Sequence, residues 1–370
     1  MAQPRDGESS TRKDRRQPFA ARLARAAGLS VGNAFRPKGW FDQRFRASHY
    51  RGQNRRWPAP EGPRDAAPKT SGGNAIVPSP GFHHDGGIVV KSPDGRLSRG
   101  ADCGQEDAAM TYATVEIEQA AGVATIWMNR PEQHNAFNPA LIADLTAALA
   151  AVEGDAAVRV IVLAGRGNSF SSGADLAWMK EAGAKDYAAN HADARRLAEV
   201  FRLLAGSSKP TIARIHGAAF GAGVGLAAAC DICVAADHAT FTISEVRFGL
   251  IPSAISPYIL RAIGPRQALR YFQTAERLTA TRALDLGLVH EIVEVELIDD
   301  RIAKFAHSLS KGGPKALAAA KALIARVAWS PVDETLVEDT ARRIAEVRAS
   351  DEAKEGIAAF AEKRPPSWSR

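Results

Sequence analysis

Four glycines crowd into nine residues, Gly217-Ala-Ala-Phe-Gly221-Ala222-Gly223-Val224-Gly225, between a strand-like apolar run and a helix-like one. Glycines let a backbone approach another group closely because they lack Cβ, and a helix start offers N–H donors with no partner inside the helix. Such a turn is equipped to hold an anion or an oxyanion as it develops, although tight strand-to-helix packing alone would use the same residues. The dinucleotide fingerprint Gly-x-Gly-x-x-Gly is not met, because Leu226 stands at its last position and no acidic residue follows at the required spacing. A second loop of the same character runs from Gly165 through Phe170, Ser171, Ser172, Gly173, Ala174 and Asp175 to Leu176. Its serines lack the Gly-x-Ser-x-Gly frame and a paired histidine, which argues against a serine hydrolase. Cys230 and Cys233 form a lone Cys-x-x-Cys without the second pair that zinc would need, and they read as small buried residues. His134, His191, His216 and His290 show no metal-ligand spacing.

Positioning these loops requires strands that end where helices begin. From residue 111 onward the pattern supplies them. Tyr112–Glu118 and Gly122–Met128 read as two strands around a tight turn. A helix follows from Pro139, a residue suited to a first helical turn, to Val152. Val158–Ala164 is a buried strand, Tyr187–Leu204 a helix and Pro210–Ile215 a strand; a helix from Ala222 then precedes the strand Ile232–Ala236. This alternation predicts an α/β fold. Beyond about residue 295 the strands stop, and helices over 296–310, 314–328, 334–347 and 351–362 form a C-terminal helical region.

The front of the chain is different. Residues 1–109 hold 19 Lys+Arg against 11 Asp+Glu, whereas residues 110–370 hold 29 against 30, so the net charge of +7 belongs to the front. That segment also carries 10 of the 20 prolines and 14 of the 31 glycines, with no helix or strand period. It reads as a disordered basic extension that buries too little apolar surface to order itself. Three alternatives stand for it: a non-functional or untranslated leader, an Arg-rich targeting peptide around Phe19–Arg25, or a basic arm for RNA with Trp40, Phe41, Phe45, Tyr50 and Trp57 among arginines. Met110 would be a natural start of the working protein. No window nears 18 uninterrupted apolar residues, so no membrane span is expected, and three cysteines give no disulfide framework.

Five ordered blocks carry a resemblance. They are Asn129-Arg-Pro-Glu-Gln-His-Asn-Ala-Phe137, Phe170–Leu176, the glycine stretch, Cys230-Asp-Ile232 and Ser244-Glu245-Val-Arg247-Phe-Gly-Leu-Ile-Pro252. Their order and spacing resemble the enoyl-CoA hydratase/isomerase (crotonase) family over 111–370, and Glu362-Lys-Arg-Pro365 resembles its closing segment. The resemblance implies a spiral of ββα units with a C-terminal helical trimerisation region, divided as extension 1–109, core 110–294 and helical region 295–370. It implies a homotrimer or a dimer of trimers, an acyl-CoA thioester as substrate, no cofactor beyond that CoA, no nucleic-acid or membrane partner, and a cytoplasmic enzyme.

By position, the family's oxyanion donors fall on the backbone N–H groups of Ala174 and Ala222. Its CoA-binding positions fall around Gln133, His134 and Ala136, with Ser172, Asp175 and Leu176; Arg130 would pair a CoA phosphate or stay a solvated surface arginine. One of the family's two catalytic glutamates falls on Glu245. The other falls on Gly225, so hydration would rest on one carboxylate that takes a proton from water and delivers it to Cα. A double-bond isomerase, with Glu245 moving a proton between carbons, and a catalytically weak CoA- or RNA-binding homologue are the rival readings. Finer resemblance, carried by Gly173–Met179, Gly223–Leu226 and Ser244–Tyr258, is to bacterial methylglutaconyl-CoA hydratases of leucine breakdown and carboxygeranoyl-type relatives. Their substrates bring a second carboxylate; Arg247 is its expected partner, or else part of a structural salt bridge, and Gly225 is expected to leave room for the branched acyl group.

Overall fold

The computed structural model describes residues 111–369. The expectation of disorder over 1–109 lies outside the described residues. Strands β1 (Val115–Ala120) and β2 (Val123–Met128) form a hairpin whose turn holds Ala121 and Gly122 at φ +52° and +76°, the positive pair that a tight two-residue turn demands. Helix α1 (Pro139–Gly154) follows, its first turn capped by the Asn138 side chain.

Three repeats then take the same route. β3 (Val160–Gly165), β5 (Thr211–Ile215) and β7 (Ile232–Ala236) lie parallel in a six-stranded sheet of order β1-β2-β3-β5-β7-β10, with β10 spanning Glu291–Val293. After each, the chain crosses to a second sheet as β4 (Ser169–Ser171), β6 (Ala218–Phe220) or β8 (Thr240–Thr242), also parallel to one another. That sheet closes with β9 (Leu278–Thr279) in the order β4-β6-β8-β9. Helices return the chain: α2 (Leu176–Gly183) and α3 (Tyr187–Gly206) after β4, α4 (Ala222–Ala229) after β6, and α5 (Ser256–Thr274) after β8. Each turn of this spiral is a ββα unit. The short α6 (Ala280–Asp285) precedes β10.

Every residue of β3 is buried, as expected of a parallel strand covered on both faces. One face meets the main core, built around Phe137, Phe170, Phe201 and Phe241; the other packs Val160 and Val162 with Trp127, Ile212 and Val234. Ile298, Ile302 and Ala306 cover this second layer from α7 (Ile298–Ser310). The first of the C-terminal helices is thus part of the sheet's cover. α8 (Pro314–Val327), α9 (Glu334–Ala349) and α10 (Asp351–Ala361) bury only Leu336 and Ala359 among their own residues. They leave Ile324, Ile357 and Phe360 exposed, with Trp329 and Val332 between helices. No described helix is long and apolar enough to cross a membrane.

Candidate active site

The second sheet builds the site. β4, β6 and β8 run side by side, so the turns that follow them leave from one edge. After β4 the chain reaches Gly173 at φ +88°, then Ala174, then Asp175, whose side chain caps α2 by accepting from the Ala177 N–H. After β6 it reaches Gly221, at φ +48° and ψ −114°, then Ala222, the first residue of α4. The two glycines sit against each other. A Cβ on Gly173 would lie 3.0 Å from the Phe220 carbonyl oxygen and 3.7 Å from Gly221 Cα. Neither place admits a side chain without displacement, and the contact sets the adjoining residues Ala174 and Ala222 beside one another.

Both residues have an N–H to offer. The Phe137 N–H donates to the Gly173 carbonyl at 2.7 Å and the Asp175 N–H to the Phe137 carbonyl at 2.9 Å, a bridge from which Ala174's own N–H turns away. Ala222 opens its helix, where N–H groups have no intrahelical acceptor.

The third strand brings an acid. The Gly221 N–H donates to the Thr242 carbonyl at 2.8 Å, and past β8 a short 3₁₀ turn, Glu245–Phe248, folds the Glu245 carboxyl over Gly221. A Cβ on Gly221 would stand 3.2 Å from Glu245 Oε1. Oε2 is buried with no hydrogen-bond partner. Burial pushes the Glu245 carboxyl above the usual carboxylate range, partly opposed by the backbone N–H groups of Glu245 and Ser244. Ala174, Ala222 and Glu245 line one cavity of about 1020 Å³. Two residues whose N–H groups have no partner within their own turns and a carboxyl of raised proton affinity therefore line a single space.

Ser172, Leu176 and Arg247 line the same cavity, and Leu176 is 74% exposed at its mouth. Gln133 and His134 are exposed at the adjoining rim, tied to Ser172 by the Ser172 N–H to the His134 carbonyl at 2.9 Å. Ala136 is buried, its N–H given to Gln133 O.

Two expectations are corrected. Arg130 is not a solvated surface arginine: it is largely buried, pairs with Asp175 at 3.0 Å and donates to the Ala136 carbonyl. Its hydrogen bond is the leading reason that the Asp175 carboxyl is held below its ordinary value. Gly225 does not face open space, because Ile255 stands between it and the cavity. A Cβ at position 225 would lie 2.8 Å from Ile255 Cβ and 3.0 Å from Phe201 Cε1.

Cys230 and Cys233 are buried free thiols, and burial drives Cys233 up to about 12. Sequence reasoning passed over Asn135, whose buried amide donates to the carbonyls of Arg166 and Ser169, both at 2.9 Å. It also passed over Arg277, which lines the cavity with its guanidinium 5.8 Å from the centre of the Phe220 ring. Residue spacing carries no signal for Arg277, which a tertiary turn delivers.

The sequence model of the enoyl-CoA hydratase/isomerase family matches residues 118–370. The chain belongs to that family. A crotonyl-CoA hydratase of Syntrophomonas wolfei is 32% identical over 262 residues, covering 70% of this chain and 99% of that protein. The 2,3-dehydroadipyl-CoA hydratase of Escherichia coli is 32% identical over 253 residues, covering 68% and 97%. A crystal structure of an enoyl-CoA hydratase from Shewanella pealeana matches with a TM-score of 0.67 at 38% identity, covering 69% of this chain and 96% of that one. The present chain is accordingly an enzyme of the enoyl-CoA hydratase type with the crotonase fold. Adding water to a thioester-activated double bond changes no oxidation state overall, and the family's hydratases need nothing beyond the CoA substrate.

Proposed function

We propose that the enzyme hydrates a branched dicarboxylic 2-enoyl-CoA, namely 3-methylglutaconyl-CoA of leucine breakdown, through a thioester enolate. The N–H groups of Ala174 and Ala222 hold the thioester oxygen as charge develops on it. Glu245, as carboxylate, takes a proton from water while the water oxygen bonds to Cβ, then returns that proton to Cα. Gln133, His134, Ser172 and Leu176 border the CoA moiety, and Asp175 with Arg130 fixes the start of α2 beneath it.

One observation supports a second carboxylate on the substrate. Arg247 and Arg277 both line the cavity, and neither is ion-paired among the described residues. Arg247 spends one nitrogen on the Ala275 carbonyl at 2.6 Å and keeps its charge unbalanced. The other acid on the wall, Asp193, is already satisfied by Lys185 at 2.7 Å and by Arg196. The E. coli relative, by its name, acts on a dicarboxylic enoyl-CoA.

The wild type should show a higher kcat/KM for 3-methylglutaconyl-CoA than for crotonyl-CoA. Arg277→Met and Arg247→Met should each erode that preference roughly tenfold or more, the worth of a charged hydrogen bond. A wild-type preference for crotonyl-CoA would overturn the dicarboxylic substrate.

The pH profile tests the acid's role. Only ionised Glu245 accepts a proton from water, so kcat/KM should fall as pH drops through its raised value, with the acid limb above the ordinary carboxylate range. Stability runs the other way. The raised folded value favours the fold at low pH, and that contribution fades as pH rises through it. An acid limb at the ordinary carboxylate position would remove Glu245 from the base role.

We further propose that the enzyme is cytoplasmic and assembles as a trimer, or a dimer of trimers, through the helical region, where Ile324, Trp329, Val332, Ile357 and Phe360 are exposed. Sedimentation at micromolar concentration should give three or six copies, and a monomer would refute it.

A further inference from the structure

Helix α4 carries the oxyanion donor at its start and Gly225 three residues later, on the same helical face. Three residues of helix rise about 4.5 Å, so Gly225 lies just under one turn along α4 from the Ala222 N–H. Beside it stands Ile255. It is 2% exposed, it lines the cavity, and its side chain lies where a Cβ on residue 225 would go. Phe201 Cε1 lies 3.0 Å from the same Cβ position, and its ring is stacked on Phe137 at 6.4 Å and tilted against Tyr258 at 5.9 Å. The place of the family's second acid is therefore occupied as well as vacated.

We propose that Ile255 is a specificity-determining residue: it forms the apolar wall beside the substrate's Cβ, limits the size of the β-substituent, and leaves Glu245 as the one acid at the reacting carbons. The chemistry closes on that basis. An O–H bond of water breaks, the oxygen bonds to Cβ, its proton passes to Glu245, and the double-bond electrons move onto the thioester oxygen. The Glu245 O–H bond then breaks, the enolate electron pair takes that proton at Cα, and the carboxylate is restored.

The inference rests on hydration through Glu245, and not on a second carboxylate in the substrate. Its test is a ladder of 2-enoyl-CoA thioesters bearing hydrogen, methyl or ethyl at Cβ, built on whichever acyl chain the enzyme hydrates fastest. The wild type should reject the ethyl member. Ile255→Ala should raise the ethyl-to-hydrogen ratio of kcat/KM about tenfold, the scale of a methylene in an apolar pocket, with the rate on the hydrogen member falling as the ethyl rate rises. Ile255→Val should move the ratio in the same direction by less, and it decides the matter if the alanine variant does not fold. A general packing defect would lower all three rates together. Parallel losses with an unchanged ratio would overturn the inference while leaving hydration by Glu245 intact.

Discussion

Glu245→Gln is expected to lower kcat by roughly 10²–10⁴ while substrate binding is largely kept. Glutamine matches the volume and can still accept a hydrogen bond, so the short 3₁₀ turn over Gly221 should persist. What it removes is the one cavity acid, among the described residues, not already tied up in ion pairs, given that Asp193 is held by Lys185 and Arg196. Among the described residues no second carboxylate stands by to take over, and Ile255 fills the space next to Gly225. The loss should thus exceed that in an enzyme where two acids share the work. Steady-state turnover together with CoA-thioester binding to the variant would check this. A variant retaining most of its turnover would eliminate the single-acid mechanism.

The repeating frame was legible in the sequence where elements are long or have clear ends. The strand read over Ile232–Ala236 is found over those residues, and the helix read from Tyr187 to Leu204 extends only to Gly206. Pro139 marked the start of α1, and the apolar runs marked five strands of the larger sheet, whereas the three-residue β10 at its edge went unread. The second sheet was invisible as strands. β4, β6 and β8 are three residues each, too short for a period of two to register; β4 and β6 fell inside the two glycine-bearing loops, and β8 had no reading at all. Yet this hidden sheet aligns the two glycine turns and Glu245.

The site was legible to a different degree. Small residues at helix starts pointed to oxyanion chemistry before any likeness was considered, and the resemblance assigned the individual positions. Arg130 and Gly225 show what a linear reading lacks. An arginine beside a loop looks solvated until Asp175, 45 positions away, is folded against it. A glycine looks like space until the residue opposite is known, and Ile255 is 30 positions further along the chain. Both errors concern what fills the neighbouring volume, which pattern and propensity do not encode.

Gly221→Ala should be the second most damaging change. The backbone there, at φ +48° and ψ −114°, belongs to a region that L side chains rarely adopt, so alanine costs about 1–3 kcal/mol of strain. Relief of that strain would rotate the peptide that carries the Ala222 N–H, because Ala222 is the next residue. The new methyl would also meet Glu245 Oε1 at 3.2 Å, and the carboxyl would have to shift. Misaiming one oxyanion donor costs roughly 10²–10³ in kcat, more than the stability loss alone would suggest. Gly264→Ala separates the two effects. Gly264 also sits at positive φ, +74° with ψ 160°, with open space around its Cβ position and no place on the cavity wall. Its replacement should lower Tm by a comparable amount and leave kcat nearly unchanged. Equal losses of kcat in the two variants would trace the Gly221 effect to general strain, and full turnover by Gly221→Ala would show that the Ala222 N–H does not hold the thioester oxygen.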